Sequence, residues 1–292
     1  MFPPSELIIN SDGTIFHLHL RPEQLADRVI LVGDPGRVTT VASHFDSQEC
    51  EVSSREFHSI TGTCEGKRIT VLSTGIGCDN IDIVMNELDA LANIDFNTRT
   101  LKPEHRTLTI VRIGTCGGLQ PETPIGTFIA SVKSIGFDGL LNYYAGRDEV
   151  CDLDLEAAFR RHMSWSPQKG APYVACADPQ LVSQIAGSDM VRGITVACGG
   201  FYGPQGRQVR LKIQDPDQNS KIESFRYTTP DGEQLKICNF EMESSALAGL
   251  SSLLGHRAMT TCMVIANRYA QEMNTEYKTT IDTLLHLVLS RI

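Results

Sequence analysis

LTIVRIGTCGG (108–118) decides the fold class. A run of apolar, mostly β-branched residues passes directly into a glycine-rich turn, the pattern of a strand covered on both faces. The same order occurs twice upstream. RVILVGDPGRV (28–38) ends in a Gly-Asp-Pro-Gly turn, with a helix expected to follow through Phe45. RITVLSTGIG (68–77) precedes Ile81, Val84, Met85, Leu88 and Leu91, which share one helical face. Repeated strand, glycine turn and helix specify an α/β fold with parallel strands and crossover helices. Ligands of such sheets bind outside the carboxyl ends of the strands, so these three glycine mouths mark the expected site.

Further along, GTFIASVKSIG (126–136) and residues 193–198 read as strands, and FYGPQGR (201–207) as a loop. The polar stretch QDPDQNSKIESFRYTTPDGEQ (214–234) reads as a hairpin or excursion outside the core. NFEMESSALAGLSSLLG (239–255) is a helix stopped by Gly255, AMTTCMVIANR (258–268) a last buried strand, and 276–292 a terminal amphipathic helix. With neither an internal repeat nor a linker, residues 1–292 are expected to form one domain.

The 292 residues are 41% hydrophobic and 21% charged, enough for a large core and unlike disordered or fibrous chains. With 35 acidic against 26 basic residues the net charge is −9, a poor footprint for nucleic acid or an anionic membrane. An anionic ligand must therefore be held by a local cluster. No apolar run approaches the ~18 residues of a membrane span, and the start MFPPSELIINSDGT has no basic segment leading into an apolar one, so a cytosolic protein is expected. Nine cysteines without a C-x-x-C pair or Cys/His ligand spacing point to reduced thiols rather than disulfides or a zinc site.

Glycine-rich strand ends expose backbone N–H groups to an anion. The dinucleotide and Walker fingerprints fail, because GIGCDN (75–80) lacks the third glycine and no G-x-x-x-x-G-K-[ST] occurs. Arginines carry the signal instead. Arg112 lies inside an apolar strand, where a guanidinium needs a carboxylate or phosphate partner. Arg37 follows the first turn, and Arg55 stands in SSREF (53–57). A structural salt bridge explains any one of them; all three beside glycine mouths favour an oxyanion site. Glu241 and Glu243, flanking Met242, either complement a helix dipole or accept from the vicinal hydroxyls of a sugar. Gln205 and Arg207 offer the donor and acceptor pattern of an imide edge. Cys116, with no recognisable base beside it, reads as an inert thiol. His17, among leucines, reads by itself as a packing residue.

The succession of GDPGR, SSREF, STGIG, RIGTCGGLQ and FEMES closely resembles the nucleoside phosphorylase-I family, and FYGPQGR resembles its uridine phosphorylase branch. The resemblance implies a three-layer α/β/α sandwich around a mixed, largely parallel sheet. It implies a pentosyltransferase that converts uridine and orthophosphate reversibly to uracil and ribose 1-phosphate, with orthophosphate as co-substrate, no cofactor and no metal among the site residues. Gly33, Arg37, Arg112 and Thr115 would hold phosphate, joined by Arg55 from a neighbouring subunit. Met242 and Glu243 would contact ribose, with His17 reaching in from the partner chain. Gln205 and Arg207 would read uracil, Phe201 would pack on it, and Arg268 would lie nearby; Arg112, Arg207 and Gln205 form the catalytic set. Sharing of Arg55 and His17 implies a homodimer, three of which make a hexamer in some members, and a monovalent cation near Glu56 is a further family feature.

Residues around 97–106, 139–172 and 207–240 are extra to the smaller members. Where purine-directed relatives place an acid in the last strand's loop, Asn267 and Arg268 stand here, favouring a pyrimidine. The competing readings are a purine nucleoside phosphorylase, a nucleoside hydrolase using water in place of phosphate, and a non-catalytic nucleoside-binding scaffold.

Overall fold

The computed structural model describes the backbone of residues 1–292 and every side chain except those of Lys278 and Thr279. The strands are β1 (Arg28–Val32), β2 (Ser47–Ser54), β3 (Phe57–Cys64), β4 (Lys67–Ser73), β5 (Ile94–Asp95), β6 (Thr100–Leu101) and β7 (Thr109–Gly118). They continue as β8 (Phe128–Gly136), β9 (Tyr173–Cys176), β10 (Val191–Ala197), β11 (Arg226–Thr228), β12 (Gln234–Glu241), β13 (Arg257–Asn267) and β14 (Glu272–Met273). The helices are α1 (Pro35–Ala42), α2 (Cys78–Asn93), α3 (Arg147–Val150), α4 (Leu153–Met163), α5 (Pro179–Ile185), α6 (Gln218–Ser224), α7 (Ser244–Leu253) and α8 (Lys278–Arg291).

Alternation along β1 shows how the three layers arise. Val29 and Leu31 point into a core with α2 and α7, including Ile81, Val84, Met85, Leu88 and Leu91. Ile30 and Val32 point to the other face, packing with Val38 and Val41 of α1, Leu181 of α5 and Leu284 and Val288 of α8. A strand covered on both sides has no polar face, which is why 28–32 is an unbroken apolar run after its first residue.

Parallel pairing runs through β4, β1, β7 and β13 and again through β8, β10 and β12; β2, β3, β9, β11 and β14 add antiparallel edges. The sheet is therefore mixed, with its parallel pairing concentrated in the centre. It also closes on itself. β7 pairs with β13, β13 with β8, β8 with β10 and β10 with β12, and the end of β12 returns to the end of β7 through Asn239↔Gly118 and Phe240↔Gly117. Cys116, Ile129, Cys238, Cys262 and Val264 cluster among these ring strands. β1, β4, β3 and β2 extend from the ring as an open wing.

Two sequence expectations are corrected. Residues 239–241 end β12, so the helix read over 239–255 begins at Ser244. The polar stretch at 214–234 is not wholly outside the core, because α6 lies within it and buries Ile222, with Phe225 beside it, against Phe159 and Ile237. The rest of that stretch is the expected hairpin, β11 with β12. Among the described residues no helix is long and apolar enough to cross a membrane.

Candidate active site

The carboxyl ends of β1, β7, β12 and β13 open into a cavity of about 820 Å³. Gly33, Arg37, Arg112, Thr115, Phe201, Gln205, Arg207, Met242, Glu243 and Arg268 all line it, although they come from five separate stretches of chain. At one end, α1 begins directly after the first glycine turn, its N-terminus capped by Asp34, whose Oδ1 accepts from the Gly36 amide at 2.9 Å. That cap aims Arg37 across the mouth, where its Nη1 donates to the Ile113 carbonyl at 3.4 Å. Burial, with Arg112 nearby, pulls the Arg37 pKa below its usual value.

Arg112 is 4% exposed and reaches the cavity from the middle of β7. It needs Gly114: a Cβ there would lie 2.5 Å from Arg112 Nη1, so any larger residue displaces the guanidinium. Arg112 Nη1 donates to Glu241 at 3.3 Å and Nη2 donates to Glu243. Burial alone would lower the Arg112 pKa, but the two carboxylates outweigh it and raise it. The sequence treats Glu241 and Glu243 alike, and the structure separates them. Glu241 is occupied by internal donors: the Glu243 amide at 2.8 Å, the Ser244 hydroxyl at 2.6 Å and Arg112. It ties the end of β12 to the start of α7. Glu243 accepts from the Gly77 amide at 2.7 Å and from Arg112. Burial pushes its pKa up to about 7 against the pull of Arg112, with Glu241 adding to the rise. One guanidinium serves two carboxylates, so Glu243 holds a proton readily.

At the opposite end the short turn Gly203–Gln205 presents Gln205 and Arg207. The Arg207 guanidinium carbon stacks 3.7 Å from the centroid of Phe201, and Nη1 donates to the Phe201 carbonyl at 2.6 Å and to Gln205 Oε1. With Oε1 accepting, the Gln205 NH₂ is left as a donor. Burial and then the Arg268 charge pull Arg207 down to about 10. Arg268 Nη1 is buried and without a hydrogen-bond partner. Asn267 faces the other way: Nδ2 donates to the Gln120 and Thr123 carbonyls at 3.2 and 2.7 Å, and Oδ1 accepts from the Ala270 amide at 2.8 Å. Of the IANR pair, Arg268 faces the cavity.

Arg55 and His17 lie outside this cavity, together on one surface patch. Arg55, at φ +55° in the β2–β3 turn, sits 5.6 Å from the Phe16 ring, which contacts the His17 ring edge-on at 4.7 Å. Glu87 of α2 holds that segment, accepting from the backbone amides of His17 and Leu18 and pairing with His17 Nδ1 at 2.6 Å. His17 is thus fixed by a carboxylate rather than by packing alone.

The structure adds lining residues that sequence reading passes over: Ile76, Asn80, Ile265 and Met273. Asn80 follows from the tight Gly75 turn, where a Cβ would meet its Nδ2 at 2.4 Å; Met273 arrives only because β14 folds back on β13. Cys116 is buried, and burial pushes its thiol well above the usual range, away from nucleophilic use. All nine cysteines are free. Asp89, His105 and His256 also come together, their ligand-type atoms within 4.8 Å of one another, and none lines the cavity. His256 Nδ1 accepts from the Leu108 amide at 3.2 Å, leaving its Nε2–H to face Asp89 at 3.2 Å. His256 Nε2 is buried and makes no hydrogen bond at that distance.

Residues 27–287 match the family model described as the phosphorylase superfamily. The chain is 29% identical over 275 residues to a uridine phosphorylase of Thermococcus kodakarensis, covering 93% of this chain and 84% of that protein. It is 29% identical over 264 residues to a uridine phosphorylase of Haemophilus influenzae, covering 90% of each. A crystal structure of a Trypanosoma brucei nucleoside phosphorylase that shows uridine phosphorylase activity superimposes with a TM-score of 0.89 at 29% identity, covering 98% of both chains.

Proposed function

The chain belongs to the phosphorylase superfamily, and from that premise we propose that it catalyses the reversible phosphorolysis of uridine to uracil and ribose 1-phosphate. One observation carries the reading: two guanidinium groups, Arg37 and Arg112, share a cavity with a sugar-competent carboxylate, Glu243, and with an amide and guanidinium pair, Gln205 and Arg207. This is an anion site, a diol site and an imide site in one space.

Each end meets a demand of the reaction. Phosphate held by Arg37, Arg112, Thr115 and the Gly33 turn lies where its oxygen attacks the anomeric carbon; a C–O bond forms as the C–N bond breaks. Positioning and fixed charge supply the rate, with no protein nucleophile. The bonding electrons leave on uracil, where the Gln205 NH₂, Arg207 and Arg268, which all line the cavity, stabilise negative charge as it grows. Phe201 packs on the base, and Met242 and Glu243 hold the ribose, Glu243 accepting from its hydroxyls. Orthophosphate is a co-substrate, and side chains supply the charge stabilisation.

The homodimer belongs to the same proposal. Arg55 and His17 share a patch outside their own cavity, the placement required of groups lent to a neighbour, and three such pairs would make a hexamer. Nine free thiols support a reducing compartment such as the cytoplasm. The test is base release from uridine, thymidine, inosine and adenosine, with and without phosphate. Phosphate-dependent release from uridine with ribose 1-phosphate as product is expected; equal release without phosphate makes the protein a hydrolase, and preference for inosine makes it purine-directed.

A further inference from the structure

The segment between Arg207 and β12 does more than connect them. It returns as α6, whose first residue, Gln218, is 6% exposed and lies behind the base-end turn. Gln218 Nε2 donates to the Pro204 carbonyl at 2.7 Å, and Lys169 Nζ donates to Gln218 Oε1 at 3.2 Å. An ammonium only donates and a carbonyl only accepts, so the two contacts fix the amide in one orientation. One residue on, Asn219 lies against Gly206. That glycine has φ +68°, and a Cβ on it would come within 2.4 Å of Asn219 Oδ1. Inside the turn, the Gln205 and Arg207 amides both donate to the Tyr202 carbonyl, at 3.1 and 2.8 Å. The two base-facing side chains therefore share a single backbone frame, and α6 holds its back. Gln218 does not line the catalytic cavity; it lines a separate one of about 730 Å³ on the far side of the turn, together with Trp165 and Lys169.

We propose that Gln218, oriented by Lys169, is a positioning residue for base recognition: it acts on the substrate only through the Pro204 carbonyl and the turn that carries Gln205 and Arg207. The proposal rests on the reading of that turn as the uracil site. It gives the 207–240 insertion a role in specificity, since the insertion supplies the helix that sets the angle between an amide and a guanidinium two residues apart.

The test is a comparison of Gln218→Glu, Lys169→Met and Arg207→Ala with the unaltered protein, reading KM for uridine, KM for phosphate and relative rates on uridine and thymidine. Gln218→Glu keeps the volume and the contact with Lys169 but sets an oxygen against the Pro204 carbonyl. Its uridine KM is expected to rise about tenfold, in line with loss of one buried hydrogen bond, with phosphate KM unchanged and base discrimination weakened. Lys169→Met, on a half-buried side chain away from the core, frees the amide to turn over and is expected to shift the same quantities in the same direction by about threefold, the share of a single partly exposed contact. Unchanged uridine KM in both variants, or a phosphate KM that moves in parallel, overturns the positioning role. If Arg207→Ala also retains ordinary uridine kinetics, the base-site reading fails; if Arg207→Ala is impaired while the other two are not, the positioning role alone fails.

Discussion

At the residue scale, the chemistry turns on how one buried guanidinium is shared. Arg112 is held by Glu241 and Glu243, yet only Glu243 is free to meet a sugar, because Glu241 is occupied by the Glu243 amide and the Ser244 hydroxyl. Burial places the Glu243 pKa near 7, which gives the site a pH dependence with a definite sign. Below that value the group is a carboxyl, with less capacity to accept from the ribose hydroxyls; above it, a carboxylate. We expect uridine KM, measured at saturating phosphate, to rise several-fold as the pH falls from about 8 to about 6. In Glu243→Gln the same titration should give a raised but level KM; a wild-type slope in that variant removes Glu243 from the titration. Stability runs the opposite way. The folded pKa lies above the unfolded value of 4.5, so this group's stabilisation is whole below about 4.5 and is lost as the pH climbs through about 7. Arg37 and Arg112 were legible because charged residues beside glycine mouths break an apolar pattern, and Glu243 because FEMES sets carboxylates between a strand and a helix. The division of labour between the two glutamates is absent from the residue pattern and came only with the family resemblance, since it depends on which carboxylate the Glu243 and Ser244 amides claim.

At the scale of elements, β7 combines an apolar strand with a buried cation, and Gly114 makes the two compatible. Gly114→Ala is expected to raise the phosphate KM at least about tenfold, because charge-assisted contacts are worth more than neutral ones and the guanidinium must leave its place. Initial rates across a phosphate series measure this; an unaltered phosphate KM would mean that Arg112 is not a phosphate ligand. The same strand shows what sequence reveals about elements. β1, β4 and β7 are readable because each is an apolar run finished by a glycine turn, and the α2 face at Ile81, Val84, Met85, Leu88 and Leu91 because it is a helical period that starts from one. α6 is not, because Ile222 and the adjoining Phe225 are too few apolar residues in a polar stretch to produce a period, and a seven-residue helix has no room for more. Closure of β12 onto β7 is equally invisible. It pairs Gly117 with Phe240 across more than a hundred residues, and no local pattern encodes such a meeting.

On the scale of the whole molecule, the wing and the ring divide the work. The ring forms the cavity together with the mouths of β1 and β4, whereas the β2–β3 turn at the wing's edge holds Arg55 near Phe16 and His17, outside it. A homodimer that exchanges these groups makes a quantitative prediction. Arg55→Ala and Arg207→Ala should each be nearly inactive alone. Mixed dimers contain one site with both arginines intact, so an equal mixture assorted at random should recover about a quarter of the original activity, as expected for a closed two-fold assembly. Rates after co-expression, with the mass from light scattering, measure it. No recovery at the dimer mass would mean that each chain completes its own site. Such an exchange asks for a mouth that keeps its shape while a neighbour reaches in, and the returning β12 provides for that. A hoop of five staves has no outermost stave to loosen, so Arg112, Met242, Glu243 and Arg268 stand on one continuous rim, which Arg37 reaches from the adjoining wing.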